Sequence, residues 1–477
     1  MSADQDHQQV TALLEQALKQ WHRETEPLAL DKVLPFLTRQ TKAGWSGSPP
    51  PLDHQVINQL LFDLLEDLAA QDATAATLLR RRYIDDEIGF AVANSLGISE
   101  SAFYRQRRDA LAALTEIALT HETQARSYLI SRLDDRLDTP SYQQLYGLDE
   151  LLVRLGQILC DRSDIRLFCL TGIGGIGKTS LADALARQTI ANGCFEEVAW
   201  ISARQQWFAP WGEIQETGQP ALTRQELLVA LNQQLSEAPV PPRPADELLT
   251  ALKGRLRSRS HLIILDNLET AADYQEIWPL LYELSQLAWI LLTSRVAVHE
   301  QPYLHLTNLT ELTPTDAEAL IRDEARRRGI TALAEAPPEP ITQIYDIAGG
   351  NPLALKLIIG QVHLRSLSTI LTDFKEARGQ KVEALYEFIY HQAWQLLDDT
   401  ARQVLVAMPL VTAPGVTLEH LAGISEVPYD SLNQALDLLI QLSLVQVGGS
   451  LNERRFYIHR LTETFLHKQV TKWTHHP

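Results

Sequence analysis

At roughly 100–200 residues per domain, 477 residues make two to four domains, and a composition of 45% hydrophobic and 21% charged residues excludes a wholly disordered or fibrous chain. The formal net charge of −18, from 42 Lys and Arg against 60 Asp and Glu, argues against a nucleic-acid coat or an anionic-membrane binder over the whole surface, while leaving room for a local basic patch. The N-terminus lacks the basic and apolar pattern of a leader, and no run of about 18 uninterrupted apolar residues exists to span a membrane. Cys160, Cys169 and Cys194 are too few and wrongly spaced for a disulfide or zinc framework. These features predict a soluble, cytoplasmic protein with buried thiols.

In chain order, Leu13, Leu14, Leu18 and Trp21 recur at helical spacing, and Val56, Leu60, Leu61, Leu64, Leu65 and Leu68 form a second stripe. Between them, Ser46-Gly-Ser-Pro-Pro-Pro51 reads as a turn or linker. Residues 78–120 read as a helix-turn-helix. A short helix over 91–96 is followed by a turn at Gly97-Ile98-Ser99, then by a longer helix from Glu100 to Leu114 with Ser99 as its N-cap. From about Gln143 apolar runs alternate with amphipathic stretches. The runs are Leu167–Thr171, Val198–Ile201, His261–Leu265 and Trp289–Thr293; the stretches are Thr179–Gln188, Arg224–Leu235 and Ala245–Arg257. Strands apolar throughout, alternating with helices, predict a parallel sheet covered on both faces, ending near Thr310. Pro314 to Arg378 reads as helical, with a break at Pro337–Pro340. The remainder is helical up to Leu444–Val447, where Gly448-Gly449 is expected to turn a hairpin into Arg455–Ile458. Helices followed by a hairpin predict a winged helix.

Gly172-Ile-Gly-Gly-Ile-Gly177-Lys178-Thr179 satisfies G-x-x-x-x-G-K-[ST] between an expected strand and an expected helix, the context this phosphate-binding loop requires. Gly172, Gly174, Gly175 and Gly177, with Ile176, turn backbone N–H groups toward a phosphate, and the helix opening at Lys178 points its positive end there. Lys178 neutralises phosphate charge, Thr179 ligates Mg²⁺, and Ser180 lies alongside. Asp266 ends an apolar run about 90 residues later, where it would hold Mg²⁺ through water. Asn267 cannot act as a base. Glu269 is the nearby residue able to activate water, and a solvated loop carboxylate is its other reading.

Further segments resemble the NB-ARC-type signal-transduction ATPases (the STAND class). Ile290–Arg295 resembles their sensor strand, Gly349-Gly-Asn-Pro352-Leu-Ala-Leu355 their Gly-x-Pro-Leu-Ala-Leu segment, Ile458-His459-Arg460-Leu461 their Met-His-Asp motif, and Tyr146–Glu150 the segment leading into the domain. The resemblance covers about residues 142–470. It implies that Arg295 faces the γ-phosphate, that Pro352 lies near adenine with Tyr146 also at the nucleotide, and that His459 contacts the β-phosphate of ADP. Arg295, Pro352 and His459 each have a plainer reading: a strand-end arginine, a helix-opening proline and a structural histidine. The sequence departs from the pattern at Leu148, Asn267 and Arg460, and it stops where the family usually continues into sensor repeats.

The expected architecture is multidomain α/β plus α: an all-α N-terminal module over 1–140, a P-loop nucleotide-binding domain over 141–312, a helical domain over 313–384 and a winged helix over 385–477. The expected function is an ATP/ADP switch, closed with ADP and open with ATP. It self-associates to cluster its N-terminal module and hydrolyses ATP slowly with Mg²⁺ through Asp266, Glu269 and Arg295; the sensor is expected to be absent or supplied by another, unidentified partner chain. The alternative is a DNA-binding regulator or loader that uses the helix-turn-helix and the winged helix. Ser101, Tyr104, Arg105 and Arg108 are placed to meet a major groove, with Phe103 and Leu111 facing inward. Yet six Arg in 78–120 are matched by Asp85, Asp86, Glu87, Glu100, Asp109 and Glu116, a balance poor for phosphate-driven affinity. A protein-interaction module is the other reading of this segment.

Overall fold

The computed structural model describes the chain except for residues 1–2, 24–29, 46–51, 138, 141, 162–164, 210–211, 219–221, 237–238, 272–273, 298–302, 363, 377–378, 411–414, 451–452 and 469–477. The linker expected at 46–51 therefore lies outside the described residues. Two compact units result: Met1–Asp135 with Ile190–Glu196, and Arg136–Thr189 with Glu197–Pro477.

The described elements of the first unit are helical. The helices Ala3–Lys19 and Asp53–Gln71 bury Leu14, Leu18, Leu60, Leu61, Leu64 and Leu65 in one core with Leu111 and Leu114. The short helix Gly89–Ser95 ends at Gly97, whose φ of 67° turns the chain, and Ser99 caps the next helix by accepting from Ala102 N at 3.2 Å. Phe103 and Leu111 face inward as expected, while Tyr104, Arg105 and Arg108 are exposed. A Cβ on Gly89 would lie 2.8 Å from the Phe103 ring, so glycine there lets the short helix approach the long one. The second helix is longer than expected. It runs Glu100–Asp134, because Ile117, Ala118, Ala125 and Leu133 continue the buried stripe with no Gly or Pro to stop it.

The second unit is built on five parallel strands: β1 (Leu167–Thr171), β2 (Glu197–Ser202), β5 (His261–Asp266), β6 (Trp289–Ser294) and β7 (Leu304–Asn308), ordered β2-β5-β6-β1-β7. The four expected strands are present, and the sheet ends at Asn308. Because β6 lies between β1 and β5 and all three run parallel, the segments after β1, β5 and β6 open side by side at the carboxyl end of the sheet. That is where open α/β sheets bind ligands. A hairpin of β3 (Gln206–Phe208) and β4 (Ile214–Glu216), which the sequence reading did not anticipate, follows β2.

Past the sheet come the helices Pro314–Arg327, Pro338–Ala348, Pro352–Gln361 and Leu367–Lys375. Thr313 and Asn351 cap the first and third of these, each with proline at the first helical position. The helices Gln380–Gln395, Asp399–Ala407, Leu418–Ser425 and Tyr429–Gln441 lead to an antiparallel pair, β8 (Gln446–Gly449) and β9 (Arg454–Tyr457), with Val416 bridging to Phe456. Gly448 and Gly449 lie within β8 and not in the turn, a correction to the sequence reading: Gly448 pairs with Arg455 and Gly449 with Arg454. Tyr390 stacks on Phe465 at 4.6 Å, and its hydroxyl meets Thr462 at 3.1 Å, fastening Gln380–Gln395 to the last helix, Arg460–Lys468. Cys169 is a buried free thiol on β1, whereas Cys160 and Cys194 are disulfide-bonded; this corrects the expectation of buried thiols, which spacing along the chain does not decide. Among the described residues no helix is long and apolar enough to cross a membrane.

Candidate functional site

The loop after β1 turns through three glycines with positive φ: Gly172 at 146°, Gly175 at 75° and Gly177 at 110°. A Cβ on Gly172 would lie 2.9 Å from the Leu309 carbonyl, and one on Gly175 2.6 Å from Leu353 Cβ. At Gly177 the space is open, so conformation alone requires glycine there. Lys178 opens the helix Lys178–Ala191. Its buried Nζ donates to the carbonyls of Gly172 at 2.8 Å and Ile173 at 3.0 Å. Burial pushes the Lys178 pKa down to about 8, against the pull of Glu269 and Asp266. Ile176 is buried beneath the loop, and Ser180 is half-buried.

Asp266 ends β5, fully buried, and its two carboxylate oxygens have different partners. Oδ1 accepts from Thr179 Oγ1 at 2.6 Å and Thr293 Oγ1 at 2.7 Å; Oδ2 accepts from Arg204 Nη2 at 2.9 Å. The Asn267 side chain, with its amide nitrogen turned inward, donates to Oδ2 at 2.9 Å. An asparagine thus adds a donor to Asp266 where a second aspartate would add repulsion. Glu269 is not a solvated loop residue. It lies in the 3₁₀ turn Leu268–Thr270, its side chain 1% exposed, with Arg295 Nε 3.3 Å from Oε1.

Arg295 follows β6. Its Nη1 donates to the carbonyls of Phe388 at 2.6 Å and Ile389 at 3.2 Å, and its guanidinium lies 4.9 Å from the centre of the Phe388 ring. Asn351 donates to the Gly174 carbonyl at 3.1 Å while its side-chain oxygen caps the helix that Pro352 begins. Pro352 is therefore one residue from a direct bond to the loop. His459 is buried and sits 3.0 Å from Glu311 Oε1 through Nδ1 and 3.0 Å from the Gln446 amide through Nε2. The hydroxyl of Tyr146 donates to Asp323 at 2.9 Å and accepts from Arg327 at 3.2 Å on the helix Pro314–Arg327. The structure thus gathers Lys178, Thr179, Asp266, Glu269 and Arg295 at the carboxyl end of the sheet and gives His459 and Tyr146 protein partners.

Sequence reasoning missed Arg204, Asn351 and Glu311. Asn351 carried a readable signal, since an asparagine before a proline that opens a helix is an N-cap. Arg204 and Glu311 sit in connecting segments whose course depends on the sheet, and no local pattern marks them.

The residues fit a nucleotide with a divalent cation. Thr179 gives its proton to Asp266 and keeps oxygen lone pairs for a cation. The glycine cradle keeps side chains away from a phosphate, and the buried lysine donates to two backbone carbonyls of the loop itself. Among the described residues no three His, Cys, Asp or Glu side chains gather as a metal site, so Mg²⁺ held here would draw most of its ligands from phosphate and water.

A family model described as "NB-ARC domain" matches residues 148–327. The chain carries an NB-ARC domain. Among curated relatives, a probable disease resistance protein of Arabidopsis thaliana is 28% identical over 225 residues, covering 45% of this chain and 24% of its own length. Regulatory protein AfsR of Streptomyces coelicolor is 25% identical over 289 residues, covering 58% of this chain and 27% of its own length. The chain thus spans about a quarter of the length of these relatives. Two solved structures are similar. A Walker-type ATPase of Pyrococcus abyssi matches 70% of this chain and 99% of that chain, at 14% identity and a TM-score of 0.48. A STAND protein with a tetratricopeptide repeat sensor from Pyrococcus horikoshii matches 70% of this chain and 43% of that one, at 15% identity and a TM-score of 0.30. The NB-ARC match begins two residues after Tyr146 and ends at Arg327, the residue that donates to the Tyr146 hydroxyl.

Proposed function

We propose that this protein is a nucleotide-dependent switch that binds ADP and ATP with Mg²⁺ at the loop Gly172–Gly177. The observation that carries this is where Arg295 is held. Its guanidinium is bound to backbone carbonyls of Gln380–Gln395, a helix that also packs on the C-terminal helix. A terminal phosphate competing for Arg295 would remove those bonds, so ADP and ATP would differ in how firmly the C-terminal elements hold the P-loop. Such differential contact is what a ligand-driven switch requires. Asn351 and Leu353 close on the loop from the helical segment in the same arrangement.

Hydrolysis in this reading is slow. Glu269 is tied to Arg295, so its use as a base waits on release of the arginine. Opening of the C-terminal elements would expose surface for self-association and cluster the N-terminal unit as the output. A loader that grips DNA through its winged helix is less well supported. The exposed residues of Tyr429–Gln441 include Asp430, Asn433, Gln434 and Asp437, with no Lys or Arg in the helix. The test is to identify the nucleotide that co-purifies, then measure particle mass with ADP and with a non-hydrolysable ATP analogue plus Mg²⁺. The expected result is bound ADP, a monomer in ADP and a larger assembly in the analogue. Equal mass in both would refute self-association, and absence of nucleotide binding would refute the site.

A further inference from the structure

We infer that Arg204 is a positioning residue that holds Asp266 in place of the hydrated Mg²⁺ and must let go when the metal–nucleotide complex binds. The inference rests on the nucleotide reading above. Asp266 Oδ1 already accepts two hydroxyl protons, from Thr179 and Thr293. The side of the carboxylate left for a cation's water shell is Oδ2, where the Arg204 guanidinium and the Asn267 amide each stand at 2.9 Å, and of the two only Arg204 brings a charge. A guanidinium and a hydrated divalent cation are alternative countercharges for one buried carboxylate, and both cannot take the same oxygen at full strength.

The surroundings suit a residue that exchanges partners. Asp266 is 1% exposed, whereas the Arg204 side chain is 32% exposed and can move outward into water. The Arg204 backbone is fixed. Ala203 N donates to the Asp266 carbonyl at 2.8 Å, and the Arg204 carbonyl accepts from Thr217 Oγ1 at 3.1 Å. These bonds tie the backbone on either side of the Arg204 side chain. The β3–β4 hairpin begins two residues later and reaches the helix that holds Arg295, through Phe208 and Phe388 at 5.7 Å between ring centres. Phe388 also carries the Arg295 guanidinium, so one aromatic pair links the segments of both arginines. In this structure each arginine neutralises one carboxylate of the site: Arg204 that of Asp266, Arg295 that of Glu269.

The test measures the Mg²⁺ dependence of nucleotide binding by the full chain, using fluorescent ADP titrated over a range of free Mg²⁺ and in EDTA. Wild type, Arg204→Gln and Arg204→Lys are compared. Arg204→Gln should lower the Mg²⁺ concentration for half-maximal enhancement at least fivefold, and leave affinity in EDTA within twofold. Arg204→Lys, which keeps a cation on Asp266, should stay near wild type. An Arg204→Gln protein with wild-type Mg²⁺ dependence, or one whose affinity falls equally with and without Mg²⁺, overturns the inference. Circular dichroism of each variant separates loss of fold from loss of exchange. If wild type binds no nucleotide, the functional reading itself fails; if it binds and only the Mg²⁺ dependence fails to move, the role of Arg204 alone is lost.

Discussion

Lys178 carries a buried ammonium whose pKa is lowered from its usual 10.5 to about 8, chiefly by loss of water. Between those two values the unfolded chain binds the proton that the folded chain has released. Stability without nucleotide therefore rises as pH climbs from about 8 toward 10.5, and below 8 folding bears the full cost of burying the charge. A phosphate beside Nζ would restore the charged form, so binding above pH 8 should take up a proton. Calorimetry of ADP binding at pH 8.5 should thus give a heat that varies with the ionisation enthalpy of the buffer, in the sense of net proton uptake. A buffer-independent heat at pH 8.5 would remove Lys178 from the phosphate. Lys178→Met should weaken binding by about 10- to 100-fold, the range for one charge-assisted hydrogen bond.

Elements explain what single residues cannot. His459 lies two residues past the end of β9, yet its bonds run to Glu311, in the connection between β7 and Pro314–Arg327, and to Gln446 at the start of β8. It pins the strand pair to the exit of the parallel sheet. Glycines at 349 and 350 make room for Glu311: a Cβ on Gly349 would lie 2.5 Å from its carboxylate and one on Gly350 2.9 Å from its Cβ. His459→Ala should free the hairpin, so fluorescent ADP should leave faster in stopped-flow chase experiments. Glu311→Gln keeps an acceptor for the imidazole and should have the smaller effect. Off-rates equal to wild type in both variants would show that the contact only packs the fold.

At the scale of the molecule, the charge of −18 bears on the first unit. Arg81 is paired with Glu87, Arg80 with Glu66, and Arg107 lies 3.8 Å from Glu15, so much of its positive charge is spent internally. Arg105 and Arg108 remain exposed on the long helix. Random duplex should be bound weakly and only at low salt, more tightly in the ATP-loaded state if copies cluster. Replacing both arginines with alanine should reduce the slope of log affinity against log salt by about one per lost phosphate contact. Fluorescence anisotropy in both nucleotide states measures this. No binding in either would make the unit a protein-interaction module and leave the switch proposal standing.

Local structure, and the chemistry that depends on adjacency, were legible in the order of residues. Four strands, the turn Gly97–Ser99 with its cap, and the loop from Gly172 to Thr179 follow from hydrophobic period, glycine conformation and residues that touch through neighbouring positions. That order was less able to set where helices stop. The long helix passes Leu114 because buried contacts from other helices sustain it, and the pair Gly448-Gly449 extends as a strand because β9 supplies its partner. Tertiary structure alone decided which charges meet. The order β2-β5-β6-β1-β7 places the ends of β2, β5 and β6 in a row, so Arg204, Asp266 and Arg295, separated by 62 and 29 positions, share one site. The same long-range closure ties Glu269 to Arg295, Arg295 to Phe388, and His459 to Glu311. Charge pairing is set by distance in space, and spacing along a chain carries that information only within a turn or a strand.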